Sequence, residues 1–199
     1  MTYAQYGSIQ ATDYNSLVGG NPVTSSGTLN AVWATGGTTA GYGQTALANV
    51  SVGGTVAATD WANLVNRTSN AASHQGSTIT SVTAPATGGT ITYLSAIPTN
   101  LTTIYTNRLN AATQGSTTAN AVSTVSTWSN AATFTHTITF SSGDAARYFF
   151  NGGGQLKITC SHANNTAGIN LLLNNLASNV GTVVLSAPTS GSITSASVS

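Results

Sequence analysis

The stretch Phe140-Ser-Ser-Gly-Asp-Ala-Ala-Arg-Tyr-Phe-Phe-Asn-Gly-Gly-Gly-Gln-Leu156 joins two strand patterns through one very short helix. Ser142 stands at the N-cap, and Asp144 places a carboxylate in the first turn, where the helix dipole favours it. Ala145 and Phe149 are four apart, as are Ala146 and Phe150, so small and large groups stack on neighbouring faces. Asn151 and the run Gly152-Gly153-Gly154 end the helix, because glycine takes the left-handed conformation without strain. A phosphate loop would need its glycines before the helix and a Gly-Lys-Ser/Thr, and the chain has no such tripeptide. A helix this short is held by tertiary contacts, with one of Phe149 and Phe150 expected in the sheet core and the other at a second layer or subunit.

Working outward, Ala132 to Phe140 alternates with a period of two. Phe134, His136, Ile138 and Phe140 share one face, and Thr133, Thr135, Thr137 and Thr139 the other, which predicts a half-buried strand. Leu156, Ile158 and Cys160 alternate in the same way after the helix. Ile169, Leu172, Leu173, Leu176 and Val180 trace an amphipathic helix closed by Gly181, followed by strands over Thr182–Ser186 and, weakly, Ser192–Ser199. Residues 118–199 therefore read as an antiparallel β-rich domain with short inserted helices. The boundary falls near Gly115 to Asn120, and the ending predicts that the chain belongs to something longer.

Residues 1–117 read as a helical, loop-rich region, so the fold class is α+β. Its clearest feature is an echo: Ile9-Gln-Ala-Thr-Asp-Tyr-Asn-Ser-Leu-Val18 returns as Val56-Ala-Ala-Thr-Asp-Trp-Ala-Asn-Leu-Val65. Thr12 and Thr59 are the expected N-caps, with Asp13 and Asp60 in the first turns. The second copy continues through Trp61, Leu64, Val65, Thr68 and Ala72 to about His74. A further helix, capped by Thr99 or Asn100, carries Leu101, Ile104, Tyr105, Leu109 and Ala112. Its ending, Asn110-Ala-Ala-Thr-Gln-Gly-Ser116, echoes Asn70-Ala-Ala-Ser-His-Gln-Gly-Ser77, which predicts two helices packed side by side. Ile79–Thr83 and Thr90–Ser95 are short strand candidates, and Leu29, Val32 and Trp33 form an apolar cluster.

Asp144 to Leu156 closely resembles a segment of virion structural proteins of tailed phages, notably contractile-tailed phages of cyanobacteria. Ala11-Thr-Asp-Tyr-Asn-Ser-Leu-Val-Gly19, Asn30-Ala-Val-Trp-Ala-Thr35 with Gly41-Tyr-Gly-Gln44, and Tyr105-Thr-Asn-Arg-Leu109 resemble the same family, so the likeness runs over most of the chain. The resemblance implies a tail-, neck- or fibre-associated component of a virion, made in the host cytoplasm, with other tail or neck proteins as partners. It brings no catalytic residues and no cofactor.

Composition points the same way. Charged residues are 4% of the chain, with a net charge of +1, and Thr, Ser, Asn and Gly supply about half of it. A surface that stays dispersed usually carries more charge, so copies of the chain are expected to cover one another, a trimer being favoured by analogy with fibres. Arg67, Arg108, Arg147 and Lys157 are scattered, which removes the electrostatic case for nucleic acid. No apolar run is long enough to span a membrane, and Met1-Thr-Tyr-Ala lacks a secretory signal's basic start. Cys160 is the only cysteine, so no intrachain disulfide forms.

An enzyme is not expected. Asp13, Asp60 and Asp144 are accounted for by helix first turns, and a glycosidase needs two acids converging on a sugar. His74 reads as a helix C-terminal contact, His136 as a hydrogen-bonded core or subunit-contact residue, and Cys160 as a small core group. No His/Cys/Asp/Glu spacing indicates a metal. The structural and interface candidates are Trp61, Phe134, His136, Asp144, Arg147, Tyr148, Phe149, Phe150 and Asn151. The competing expectation is a module that binds a host-surface glycan or receptor through exposed aromatics beside an Asn- and Thr-lined groove.

Overall fold

Trp61, Leu64, Val65, Thr68 and Ala72 recur at helical spacing, and that stripe is the face which α3 (Ala58–Gln75) buries. The computed structural model describes residues 9–20, 26–35, 41–87, 89, 95–112, 122–124, 133–161 and 169–187. Around α3 stand α1 (Ala11–Val18), α2 (Leu29–Trp33) and α4 (Ala96–Thr106). Farther along come α5 (Gly143–Asn151), β1 (Leu156–Thr159), α6 (Ile169–Val180) and β2 (Thr182–Leu185). The chain is thus mixed α and β, with helices and a small two-stranded antiparallel sheet. Tyr14, Leu17, Val18, Leu29, Val32, Trp61, Leu64, Val65, Ile97, Leu101 and Ile104 interlock as one buried core. Tyr14 and Trp61, the equivalent aromatics of the echo, meet there at 6.4 Å between ring centroids.

What closes this core is a set of asparagine amides. Asn15 of α1 donates from Nδ2 to the Val50 carbonyl (2.8 Å) and accepts the Val50 N–H at Oδ1 (2.8 Å). Asn30 of α2 does the same to Leu47 (2.9 and 3.0 Å) and also donates to the Gly20 carbonyl (2.9 Å). Asn100 of α4 grips Thr80 in the same manner (2.8 and 3.0 Å). In extended backbone one residue's N–H and C=O point to the same side, and an amide offers a matching acceptor and donor. Each asparagine therefore supplies one rung of the ladder that these loop segments otherwise lack. Ile79–Thr83, expected as a strand, belongs to no sheet among the described residues and is held by Asn100.

Several helix ends differ from expectation. α1 and α3 start one residue before Thr12 and Thr59, with Gln10 and Ala57 at the N-caps and the threonines at the second helical position. Asp13 and Asp60 account for this: each carboxylate reaches back to the N-cap N–H at 3.0 Å, which sets the helix start. α4 begins at Ala96 with Pro98 in its first turn, so Asn100 is an interior residue and Thr99 caps nothing. The same helix stops at Thr106, short of Ala112, because Asn107 turns away to donate to Ser77 Oγ (2.9 Å). The paired packing of α3 with α4 is present, and their like endings touch, with Ala112 N–H donating to the His74 carbonyl at 2.8 Å.

β1 and β2 pair antiparallel, Leu156 opposite Leu185 and Thr159 opposite Thr182. The strand expected over Ala132–Phe140 is a correction: residues 133–140 lie in no ladder, and residues 133–139 are exposed. Alternation reports a face that seeks cover, whereas a strand also needs a neighbouring edge, and this segment has none among the described residues. The boundary near 115–120, Thr90–Leu94 and Ser192–Ser199 lie outside the described residues.

Two outcomes are expected. Asn30→Leu strands the Gly20 and Leu47 groups in the core and lowers stability by on the order of 3 kcal/mol, against less than ~0.5 kcal/mol for exposed Asn63→Ala, both by urea unfolding. Ala57→Ser supplies the missing cap hydroxyl and raises stability by ~1 kcal/mol, while Thr59→Ala leaves the midpoint within ~0.5 kcal/mol.

Candidate assembly surface

Ser142 is extended (φ −160°) and its Oγ accepts the Ala145 N–H at 3.0 Å, so α5 begins where its sequence indicates. Asp144 pairs with Arg147 at 3.3 Å. Arg147 lies over the Tyr148 ring at 4.5 Å and donates to the Thr35 carbonyl at 2.9 Å. Asn151, the one buried residue of α5, donates to the Gly41 carbonyl at 3.0 Å. His74 at the end of α3 donates from Nε2 to the Gly152 carbonyl (3.1 Å), since a carbonyl can only accept. Polar contacts thus fasten α5 to the body built on α3.

The glycines that follow α5 serve approach as much as termination. Gly152 keeps φ −74°, and within the run it is Gly153 (φ +81°) that turns left-handed. A Cβ on Gly153 would meet Ala111 Cβ at 2.7 Å, and one on Gly154 would meet the Phe149 carbonyl at 2.6 Å. On the opposite side, Gly43 (φ +70°) leaves room for the Tyr148 ring, which a Cβ there would meet at 2.5 Å.

Phe149 and Phe150 depart from expectation, since neither enters a sheet core. With Phe140 they form an aromatic cluster, centroids 5.2 to 6.1 Å apart, in which Phe149 remains 38% exposed. Two strands give a ribbon with no interior, so the rings pack on one another. Phe134 is 49% exposed. His136 is also exposed and makes no hydrogen bond among the described residues, so it is not a core histidine. Cys160, at the end of β1, is likewise exposed rather than in a core. Trp61 lies apart from all of these in the helical core.

Exposed large apolar side chains thus concentrate in the C-terminal half: Phe134, Ile138, Phe149, Ile158 (53%), Leu176, Val184 and Leu185. Val122 (81%) belongs with them, and before residue 118, among the described residues, only Val52 at a turn shares that state. The polar network that sequence reading missed lies in the N-terminal body. Tyr42 donates to the Arg108 carbonyl (2.8 Å) and accepts from Gln75 (2.7 Å), which also donates to the Ile104 carbonyl (2.9 Å). Burial raises the Tyr42 phenol above its ordinary pKa, with Gln75 and Arg108 opposing, and pushes Tyr14 up to about 12. Gln75 at the end of α3 and Tyr42 in a loop carry these contacts, and no periodicity announces them.

Among the described residues no three His, Cys, Asp or Glu side chains gather to hold a metal, and no helix is long and apolar enough to cross a membrane. A shallow groove of about 340 Å³ runs along α4, lined by Thr99, Thr102, Thr103, Thr106 and Asn107. The hydroxyls of Thr102, Thr103 and Thr106 are committed to carbonyls one turn back at 3.0 Å. No protein-family model, curated protein or solved structure matches the chain.

Asn151→Ala and Gly153→Ala should each release α5 from the body. Hydrogen exchange is expected to speed up in the α5 amides by about ten-fold or more, with α3 unchanged, for the loss of one buried hydrogen bond or one left-handed glycine. Wild-type protection of α5 in both variants would show that these contacts do not hold it.

Proposed function

We propose that this chain is a structural component of a tailed-phage virion, a tail-, neck- or fibre-associated protein that works by assembling with copies of itself and with neighbouring virion proteins. The observation that carries the reading is the division of the chain into a closed half and an open one. The N-terminal body is sealed by its core and asparagine clamps, while the C-terminal half presents apolar side chains and a two-stranded ribbon that is marginal alone in water. Residues 118–199 act, on this reading, as the β-rich assembly domain, its sheet completed between subunits, with residues 1–117 as the attachment region. The resemblance of Asp144–Leu156 to virion structural proteins supports the setting, and a charge content of 4% supports packing against like surfaces. A ring of three copies, with no cofactor and no catalytic group, is the favoured form.

A second reading, a module contacting host-surface glycan, rests on the groove along α4. Its lining is threonine and asparagine, but no aromatic ring forms a stacking platform there, and the hydroxyls of Thr102, Thr103 and Thr106 are already donated to the helix backbone. Assembly is therefore the stronger reading.

Sedimentation velocity at low micromolar concentration is expected to show one oligomer, unchanged between about 0.05 and 1 M NaCl because few charges cross the contact. A monodisperse monomer would overturn the assembly reading. An antibody against the chain should decorate the tail or neck of intact particles in electron micrographs, and bare particles would remove the virion setting.

A further inference from the structure

We propose that Thr133–Phe140 of one copy adds as a strand to the free edge of β2 in a second copy of this chain. The inference rests on the assembly reading above and names the contact that performs it.

The first observation is an unpaired backbone. Residues 133–139 belong to no ladder and make no hydrogen bond among the described residues, although their side chains alternate with strand periodicity. A row of free N–H and C=O groups flanked by alternating faces is a strand without a neighbour. The second observation is a matching vacant edge. The sheet has two strands, so each has one edge free among the described residues. These edges are not equivalent: β1 carries Lys157 at its centre, a charge of the kind that discourages pairing, whereas β2 is Thr-Val-Val-Leu with no charge and no proline. The unguarded edge is β2.

The faces agree as well. Leu156 opposite Leu185 and Ile158 opposite Val183 make one side of the ribbon wholly apolar, with Ile158 and Leu185 exposed. The other side carries Lys157 opposite Val184, and Thr159 opposite Thr182, whose hydroxyls meet at 3.0 Å. Phe134, Ile138 and Phe140, with His136 among them, would extend the apolar side, and Thr133, Thr135, Thr137 and Thr139 the hydroxyl side, so one register continues both. Neither partner contains Lys, Arg, Asp or Glu, so no fixed charge repels a like chain. Every copy holds both the donor strand and the acceptor edge, which makes the contact head-to-tail and lets it close as a ring of three.

The test uses full-length chains with Cys160→Ser. One chain carries Thr133→Cys, Thr135→Cys or Thr137→Cys, and the other carries Val184→Cys; each pair is co-expressed with different tags and mildly oxidised. A disulfide between the two tagged chains can only be intermolecular. One of the three pairings should give a mixed dimer about ten-fold above the other two, because the bond tolerates little error in distance. A synthetic Thr133–Phe140 peptide in excess should also dissociate the wild-type oligomer, a readout that does not depend on the variants folding. An intact oligomer with no mixed disulfide and no response to peptide would overturn the strand donation while leaving assembly standing. A Val184-to-Val184 dimer would replace it with two-fold pairing of β2. A monomeric wild-type chain would remove both.

Discussion

The fold depends on one repeated interaction: a helix-borne asparagine amide gripping both backbone groups of a single extended residue. Asn15, Asn30 and Asn100 hold Val50, Leu47 and Thr80 against α1, α2 and α4. Buried backbone must find partners, and a loop lying across helices has no neighbouring strand to provide them. The short amide side chain supplies both halves from one planar group, at modest rotamer cost and with no charge to desolvate. Leu47 enters the core because Asn30 has already satisfied its N–H and C=O.

The same economy explains how a chain with so few charges holds together. α2 is only five residues long, and its terminal carbonyls at Val32, Trp33 and Ala34 are met by the N–H groups of Tyr42, Gln44 and Gly43 at 2.8 to 3.0 Å. The Thr45 carbonyl collects both the Trp33 indole N–H (3.1 Å) and Arg67 (2.6 Å), while Arg67 sits 5.6 Å over the Trp33 ring. Gly19 (φ +88°) closes α1 where any Cβ would overlap the Thr28 hydroxyl. Hydroxyl, amide and backbone groups thus do most of what ion pairs do elsewhere, and the only ion pair among the described residues is Asp144 with Arg147.

The N-terminal body and the rest of the chain differ. In that body polar groups are largely matched and, Val52 apart, large apolar side chains are covered among the described residues. On either side of α5 lie an extended run outside any described ladder, a ribbon of two strands and exposed apolar side chains. The contrast is physical, because helices satisfy their backbone internally while strands never do. The helical core therefore closes on itself, whereas the two strands, which come after it, leave an edge each unpaired among the described residues.

How much was legible follows from the same distinction. The stripe from Trp61 to Ala72, the Ser142 cap, the Leu29–Trp33 cluster, the helix closed by Gly181 and the strands at Leu156 and Thr182 could be read in the residues, because periodicity and capping are local. So could the importance of Asp13 and Asp60, though not that each reaches back to an N-cap two residues before the expected threonine. The sequence by itself determined where helices and strand patterns lie and how little charge they carry. Only the tertiary structure decided which asparagines are clamps, that α4 ends at Thr106, that Phe149 joins a cluster instead of a sheet, and that Thr133–Phe140 joins no ladder among the described residues. Those outcomes turn on which backbone groups meet across long separations, and a backbone group carries no mark in the sequence of the partner it will find.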